Sequence, residues 1–327
     1  MNNLYQRNIC SGKFLYNISI LRIIAMLMVI FYHSFYCYVG WENTIYSASI
    51  SVGLWTIMSS FFSHIHVPTF LFLAGYLYAY KRFDLNSYPS KSSYLKNRIK
   101  RIGVPYLLWG AILMILQDRP LSQFFDGIAH LWFLLLIAEC SLMFCLIDKV
   151  FVHYKKNVVV LIVTMLYLAI DNTITLNVNI AGLNVFIHYF PYYLMGILIH
   201  QINFHGFLCR TYSFWLVLFV FIGYLLSVRI GYFANFTAML LIVVVFLYTK
   251  RFSKEWHFFR PIDKASMGIY ILHQPLIQEV SLLGFVSNFR DEHYYTYPLL
   301  MFVFAFVVSY AIVYVTGKFK IDKVLFG

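Results

Sequence analysis

Arg22 and His33 are two ionisable side chains inside the first long apolar run, Ile18 to Val39. A titratable group facing hydrocarbon is costly, so such residues are where chemistry is sought first. A neutral imidazole can take a proton from a hydroxyl, and a guanidinium can hold an anionic group. The two residues are eleven positions apart, which is three helical turns with about 20° left over. A helix therefore places them on one face, about 16 Å apart along its axis. That separation is similar to the reach of an extended pantetheine arm, so an anionic carrier held at Arg22 would bring a thioester near His33.

Further candidates lie along the chain. Arg98 and Arg101, at i and i+3, share a helix face and can clamp phosphate oxygens, although basic loops also serve to anchor a membrane protein. Glu139 falls near the middle of another apolar run, where a carboxylate needs a cation or a proton, and Arg22 is a possible partner. His130 and Trp132 stand at the start of that run, as candidates for positioning or stacking on an acceptor. Tyr270 and His273, three apart, share a face; a tyrosine–histidine hydrogen bond between packed helices would explain them equally well. His64 and His66 alternate on a segment expected to be extended. With no cysteine or carboxylate close by, no metal site is expected there.

The elements that must carry these residues are transmembrane helices. The 327 residues are 61% hydrophobic and 12% charged, too little polar surface to coat a water-soluble globule of this size. The apolar runs have the length at which a helix crosses a bilayer, and they lack the alternation of barrel strands. The fold class expected is all-α, a polytopic membrane protein of about ten transmembrane helices with both termini cytoplasmic. Their bounds are Ile18 to Val39, Ile65 to Tyr80, Ile102 to Leu116, His130 to Ile147, Val158 to Ile170, Phe186 to Ile202, Tyr212 to Ser227, Tyr232 to Tyr248, Ala265 to Ser287 and Tyr297 to Thr316. Ser51 to Phe62 is left over, as an interfacial or re-entrant helix leading into Val67 and Pro68.

The net charge of +12 argues for topology, not for nucleic acid, because of where it sits. With the termini inside, the outer loops receive only Arg119, Arg229 and Arg290. Arg22 is intramembrane, and every other lysine and arginine, from Arg7 and Lys13 through Arg210, Lys250, Arg251 and Lys254 to Lys323, faces the cytoplasm. The scattered cysteines, Cys10, Cys37, Cys140, Cys145 and Cys209, suggest no disulfide framework. Arg22 and His33 also argue for an uncleaved first helix over a signal peptide. Residues 1–327 are expected to form one membrane domain with no separate soluble domain.

Leu21-Arg22-Ile23-Ile24-Ala25, running on to His33-Ser34, resembles the first-helix signature of the membrane acyltransferase 3 family, an Arg and a His with ten residues between them. Five further segments resemble the family in order. They are His66-Val67-Pro68 with Gly75-Tyr76, Lys96 to Arg101 with Pro105-Tyr106, His130-Leu131-Trp132-Phe133-Leu134, Pro191 to Gly196, and Ser266 to His273. The chain departs from the pattern at Ala74, where Ser is frequent, and at Asn17 and Ser19, where an acidic residue precedes the Arg in relatives.

The resemblance implies O-acylation, usually O-acetylation, of a cell-envelope or exported carbohydrate, in a bacterial cytoplasmic membrane. The donor would be acetyl-CoA or another acyl-CoA, used as a substrate with no tightly bound cofactor. By the same resemblance His33 is the catalytic histidine and Arg22 its paired basic residue, while Arg98 and Arg101 meet the CoA phosphates. The partners expected are a glycan or glycolipid acceptor, the lipid bilayer and proteins of polysaccharide synthesis. A transporter or flippase of a lipid-linked or secreted glycan is the alternative, since it too needs polar residues along a transmembrane path. A noncatalytic subunit of a polysaccharide-synthesis complex is a third.

Overall fold

A computed structural model describes residues 15–39, 47–48, 51–88, 90–117, 119–149, 154–170, 182–202, 213–249 and 258–327. Arg7, Cys10, Lys13, Cys209, Arg210, Lys250, Arg251, Lys254 and the expected helix start at Tyr212 lie outside these residues, as do the side chains of Lys155 and Lys156. Among the described residues all regular structure is helical.

In chain order the helices are α1 Tyr16–Phe35, α2 Gly53–Ser63, α3 His66–Ala79, α4 Lys91–Arg98, α5 Val104–Leu116, α6 Gln123–Asp126, α7 Trp132–Ile147 and α8 Tyr154–Ile170. There follow α9 Leu183–Ile202, α10 Ser213–Ile230, α11 Ala234–Thr249, α12 Phe259–Ser281, α13 Gly284–Glu292, α14 Thr296–Lys318 and α15 Asp322–Leu325. Among the described residues five helical runs are long and apolar enough to cross a membrane: Tyr16–Tyr38, Gly53–Asp84, Lys91–Leu116, Gln123–Ile147 and Thr296–Lys318. The pair α12 and α13 makes a sixth if counted as one bent span, and Asn157–Ile170, Phe214–Ile230 and Ala234–Thr249 are shorter apolar helices. The chain is a polytopic membrane protein.

Each of the ten apolar segments is helical, with three differences from expectation. The segment before Val67 is α2, and it joins α3 through a single break at His64 and Ile65, so His64 lies in that turn and His66 opens α3, neither on an extended strand. The third helix begins at Lys91, because Ile99–Gly103 forms a π-helical turn that carries α4 into α5 without a stop. The ninth breaks before Ser287. Leu283 takes an extended backbone, its carbonyl starts α13, and the chain turns by 92°.

The centre of the fold is the α3–α9 pair, which packs backbone to backbone. A Cβ on Gly75 would lie 2.0 Å from the Tyr193 carbonyl oxygen, and one on Gly196 would lie 2.0 Å from that of Phe72. Only glycine permits that approach, the usual device for joining helices in lipid. Around the pair, α1 packs on α3, α12 and α14.

Candidate active site

His33 occupies the last turn of α1, beside the 3-10 turn Tyr36–Tyr38. It lines a cavity of about 590 Å³ with Tyr32, Tyr36, Ser59, Ser63, His64, His66, Phe70, His130, Trp132, Tyr189, Tyr270 and Gln274. Residues from α1, α2, α3, α9, α12 and the turn before α7 therefore converge on one space. Of the candidates read from the sequence, His33, His130, Trp132 and Tyr270 share it.

Helix α12 supplies the wall opposite α1. His33 Nδ1 lies 2.7 Å from His273 Nε2, and His273 Nδ1 lies 2.6 Å from the Tyr270 carbonyl oxygen. The Tyr270 hydroxyl does not bond the His273 ring; it donates to the carbonyl of His130. The reason His130 can reach α12 is a proline. Pro275 lacks the N–H that would bond the Ile271 carbonyl four residues earlier, and His130 Nε2 lies 2.9 Å from that oxygen instead.

The loop that delivers His130 and Trp132 is constrained. Gly127 has φ +96°, and a Cβ there would lie 2.4 Å from that of Trp132. Ala129 also has positive φ, a sparsely populated conformation for a residue with a side chain. The product is a short 3-10 turn, Ala129–Leu131, that buries His130 against α12 and sets Trp132 beside Tyr189, ring centroids 5.6 Å apart.

Arg22 does not line the cavity; on α1 the wall ends at Val29. Its partner is Asp263 of α12, at 2.9 Å from Nη1 to Oδ1, and the second carboxylate oxygen accepts from Ser19 at 3.0 Å. Glu139 is not that partner. It shares the face of α7 with the exposed Leu142, Met143 and Leu146, and among the described residues it has no ion pair or hydrogen bond. Both Arg22 and His33 thus meet α12, at positions 263 and 273, so α1 and α12 run parallel.

Near Arg22 the positive charges gather. Lys81 interacts electrostatically with Arg101, Arg98 and Arg22, and Arg101 with Arg98 and Arg22. Arg98 is half-buried, its Nε 3.0 Å from the Tyr94 hydroxyl and its guanidinium over that ring. Arg101 is exposed, and its Nε makes a long bond to the Gly327 carbonyl oxygen, 3.4 Å. Asp263, Lys81, Gln274 and Pro275 were not singled out by spacing alone. The interrupted helix at Pro275 was the one sequence signal that α12 carries a spare carbonyl. Among the described residues no group of three or more His, Cys, Asp or Glu is placed to hold a metal ion.

Helix α1 thus carries His33 in the wall of a polar cavity and, three turns earlier, Arg22 beside cations contributed by other segments. A family model, that of the acyltransferase domain of the acyltransferase 3 family, matches residues 15–318. The chain belongs to the acyltransferase 3 family. The match spans α1 through α14 and so includes both the cavity and the cationic cluster. No curated protein and no solved structure is similar enough to count as a match.

Proposed function

We propose that this acyltransferase 3 protein moves an acyl group, most simply acetyl, from cytoplasmic acyl-CoA to a hydroxyl of a cell-envelope or exported carbohydrate. His33 acts as the general base. The observation that carries the reading is the position of His33 in the wall of a cavity rich in hydrogen-bond acceptors. His64, His66 and His130 each have one ring nitrogen at a backbone carbonyl, of Ser60, Phe62 and Ile271 respectively. A carbonyl only accepts, so in the neutral ring that nitrogen carries the hydrogen and the other keeps its lone pair. The Nδ1 of His130 is buried, but the lone pairs of His64 and His66, in the cavity that Trp132 and Tyr189 also line, suit a polyhydroxylated ring, which donates through its hydroxyls and stacks through its C–H face.

The cluster of Arg22, Lys81, Arg98 and Arg101 suits the phosphates of CoA. Its thioester would have to travel from that cluster to His33. Met26 and Val29 are buried between the two, so donor binding requires the packing there to part. Ten alternating crossings with both termini in the cytoplasm put the donor and acceptor on opposite sides. That topology is supported by helix direction: the first and ninth expected crossings, α1 and α12, run parallel. The ninth and tenth, α12 and α14, run antiparallel, with Ser281 meeting Tyr297 and Gly268 meeting Val313. The membrane is taken to be the bacterial cytoplasmic membrane, and proteins of polysaccharide synthesis are the expected neighbours.

The test compares surface glycans from cells with the wild-type protein, without it, and with His33→Ala at matched abundance. Mass spectrometry before and after mild alkali detects the ester. Loss of one alkali-labile acyl group in both deficient strains is expected. Full acylation in the His33→Ala strain removes His33 from the chemistry, and esters kept with surface polymer lost would favour a transporter.

A further inference from the structure

We infer that His273 is a positioning residue that fixes the tautomer of His33, acting through the Tyr270 carbonyl, so that His33 presents an unprotonated Nε2 to the cavity. The inference rests on the reading of His33 as the base, and it follows from two adjoining contacts on α12.

The Tyr270 carbonyl oxygen can only accept, so His273 Nδ1, 2.6 Å away, carries the ring hydrogen. A neutral imidazole has one N–H, and His273 Nε2 is therefore a lone pair. His33 Nδ1 lies 2.7 Å from it and must be the donor. The single hydrogen of neutral His33 is then on Nδ1, which leaves Nε2 as its basic atom. The opposite assignment sets two lone pairs against each other at 2.7 Å or leaves the carbonyl facing one.

Three features hold His273 in this role. It is fully buried, and its ring centroid lies 4.9 Å from that of His33. His130 packs edge-on against it with centroids 5.4 Å apart, and His130 is itself tied to the Ile271 carbonyl that Pro275 leaves spare. No carboxylate of the described residues bonds either ring of the His33–His273 pair. A second neutral imidazole thus takes the place that a carboxylate holds in a serine-type triad.

In the transfer, the acceptor hydroxyl gives its proton to His33 Nε2 while its oxygen bonds the thioester carbonyl carbon. The C–S bond then breaks, the sulfur leaves as a thiolate, and His33 Nε2 returns the proton to it. Between those moments His33 is an imidazolium whose Nδ1–H points at the His273 lone pair, and that bond strengthens as the charge forms. The ring needs no rotation.

The test uses the full-length protein in proteoliposomes with His273→Ala, His273→Gln and His273→Arg. Glutamine places a terminal amide near the position of Nε2, and its oxygen can accept from His33; arginine can only donate. His273→Ala is expected to lower kcat on the order of 100-fold, with KM for acyl-CoA and acceptor changed less than about threefold. His273→Gln recovers at least about tenfold of the loss, and His273→Arg recovers none. Nitrogen-15 solid-state NMR of the wild-type protein should show His33 protonated at Nδ1 and bare at Nε2.

A wild-type His33 protonated at Nε2, equal kcat for the glutamine and alanine variants, or a loss confined to KM overturns the assignment. If the wild-type protein transfers no acyl group from any CoA donor, the proposed function fails, and the NMR measurement still decides the tautomer. If the alanine variant does not fold, the wild-type spectrum and the contrast of glutamine with arginine decide it.

Discussion

Arg22 of α1 and Asp263 of α12, 241 residues apart in the chain, form a 2.9 Å ion pair three helical turns from the contact between His33 and His273. One helix pair therefore carries both contacts, and the ion pair sets the axial register that brings the two histidines together. Asp263 is also the only carboxylate among the described residues bonded to Arg22.

Asp263→Ala leaves Arg22 beside Lys81, Arg98 and Arg101 with no counter-charge. Breaking a buried pair typically costs about 3–5 kcal/mol, and the 29% exposure of the Arg22 side chain lowers the expectation to about 1–3 kcal/mol. The double exchange Arg22→Asp with Asp263→Arg should recover most of the melting temperature and little of the donor affinity, because the cluster then contains an anion. Equal recovery of stability and of KM for acyl-CoA would assign the pair a structural role alone.

Lys81 and Arg101 should govern donor binding. Replacing either by alanine is expected to raise KM for acyl-CoA on the order of tenfold, as removal of one charge-assisted bond to phosphate implies, with kcat unchanged. The effect should shrink as salt is added, since these groups are partly exposed. Arg98→Ala should also lower thermal stability, because its stem and guanidinium pack on Tyr94. Steady-state kinetics with CoA and dephospho-CoA esters would check this; unchanged KM in all three variants moves the donor site elsewhere.

Helix positions were legible because lipid selects long apolar runs, and the Arg22–His33 pair was legible because a polar residue in such a run is conspicuous. The partner of Arg22 was not. Asp263 lies in Arg260-Pro261-Ile262-Asp263-Lys264, whose polarity reads as a loop, whereas the structure starts α12 at Phe259. Glu139 was the nearest intramembrane acid by composition, but α7 turns it away from α1. The histidine contacts were hidden for another reason: bonds from imidazole to backbone carbonyls leave no residue pattern, apart from the gap that Pro275 opens.

Glu139→Gln should be tolerated. A carboxyl group on an apolar helix face with no partner among the described residues gains nothing from its charge and loses hydration. The melting temperature in detergent should hold or rise, and acyl transfer should persist. A marked fall in either would reveal a partner beyond the described residues, which cross-linking at Leu142 or Leu146 could then locate.

Gly75→Ala and Gly196→Ala test whether the α3–α9 contact positions the cavity. Each new methyl group would meet a carbonyl oxygen at 2.0 Å, and backbone atoms cannot swing aside as a side chain can. The helices must separate, at a cost of about 1–3 kcal/mol for overpacking of this kind. Separation moves His66 and Phe70 on α3 relative to Tyr189 on α9, three of the residues that line the cavity, so KM for the acceptor should rise with the loss of stability. Once one methyl group has spread the pair, the second enters a gap already opened. The double variant should therefore be less destabilised than the two single losses added together, by more than the ~0.5 kcal/mol within which independent sites add. Strict additivity in thermal unfolding, with acceptor KM unchanged, would mean that the two glycines relax separately and that the cavity is held by other contacts.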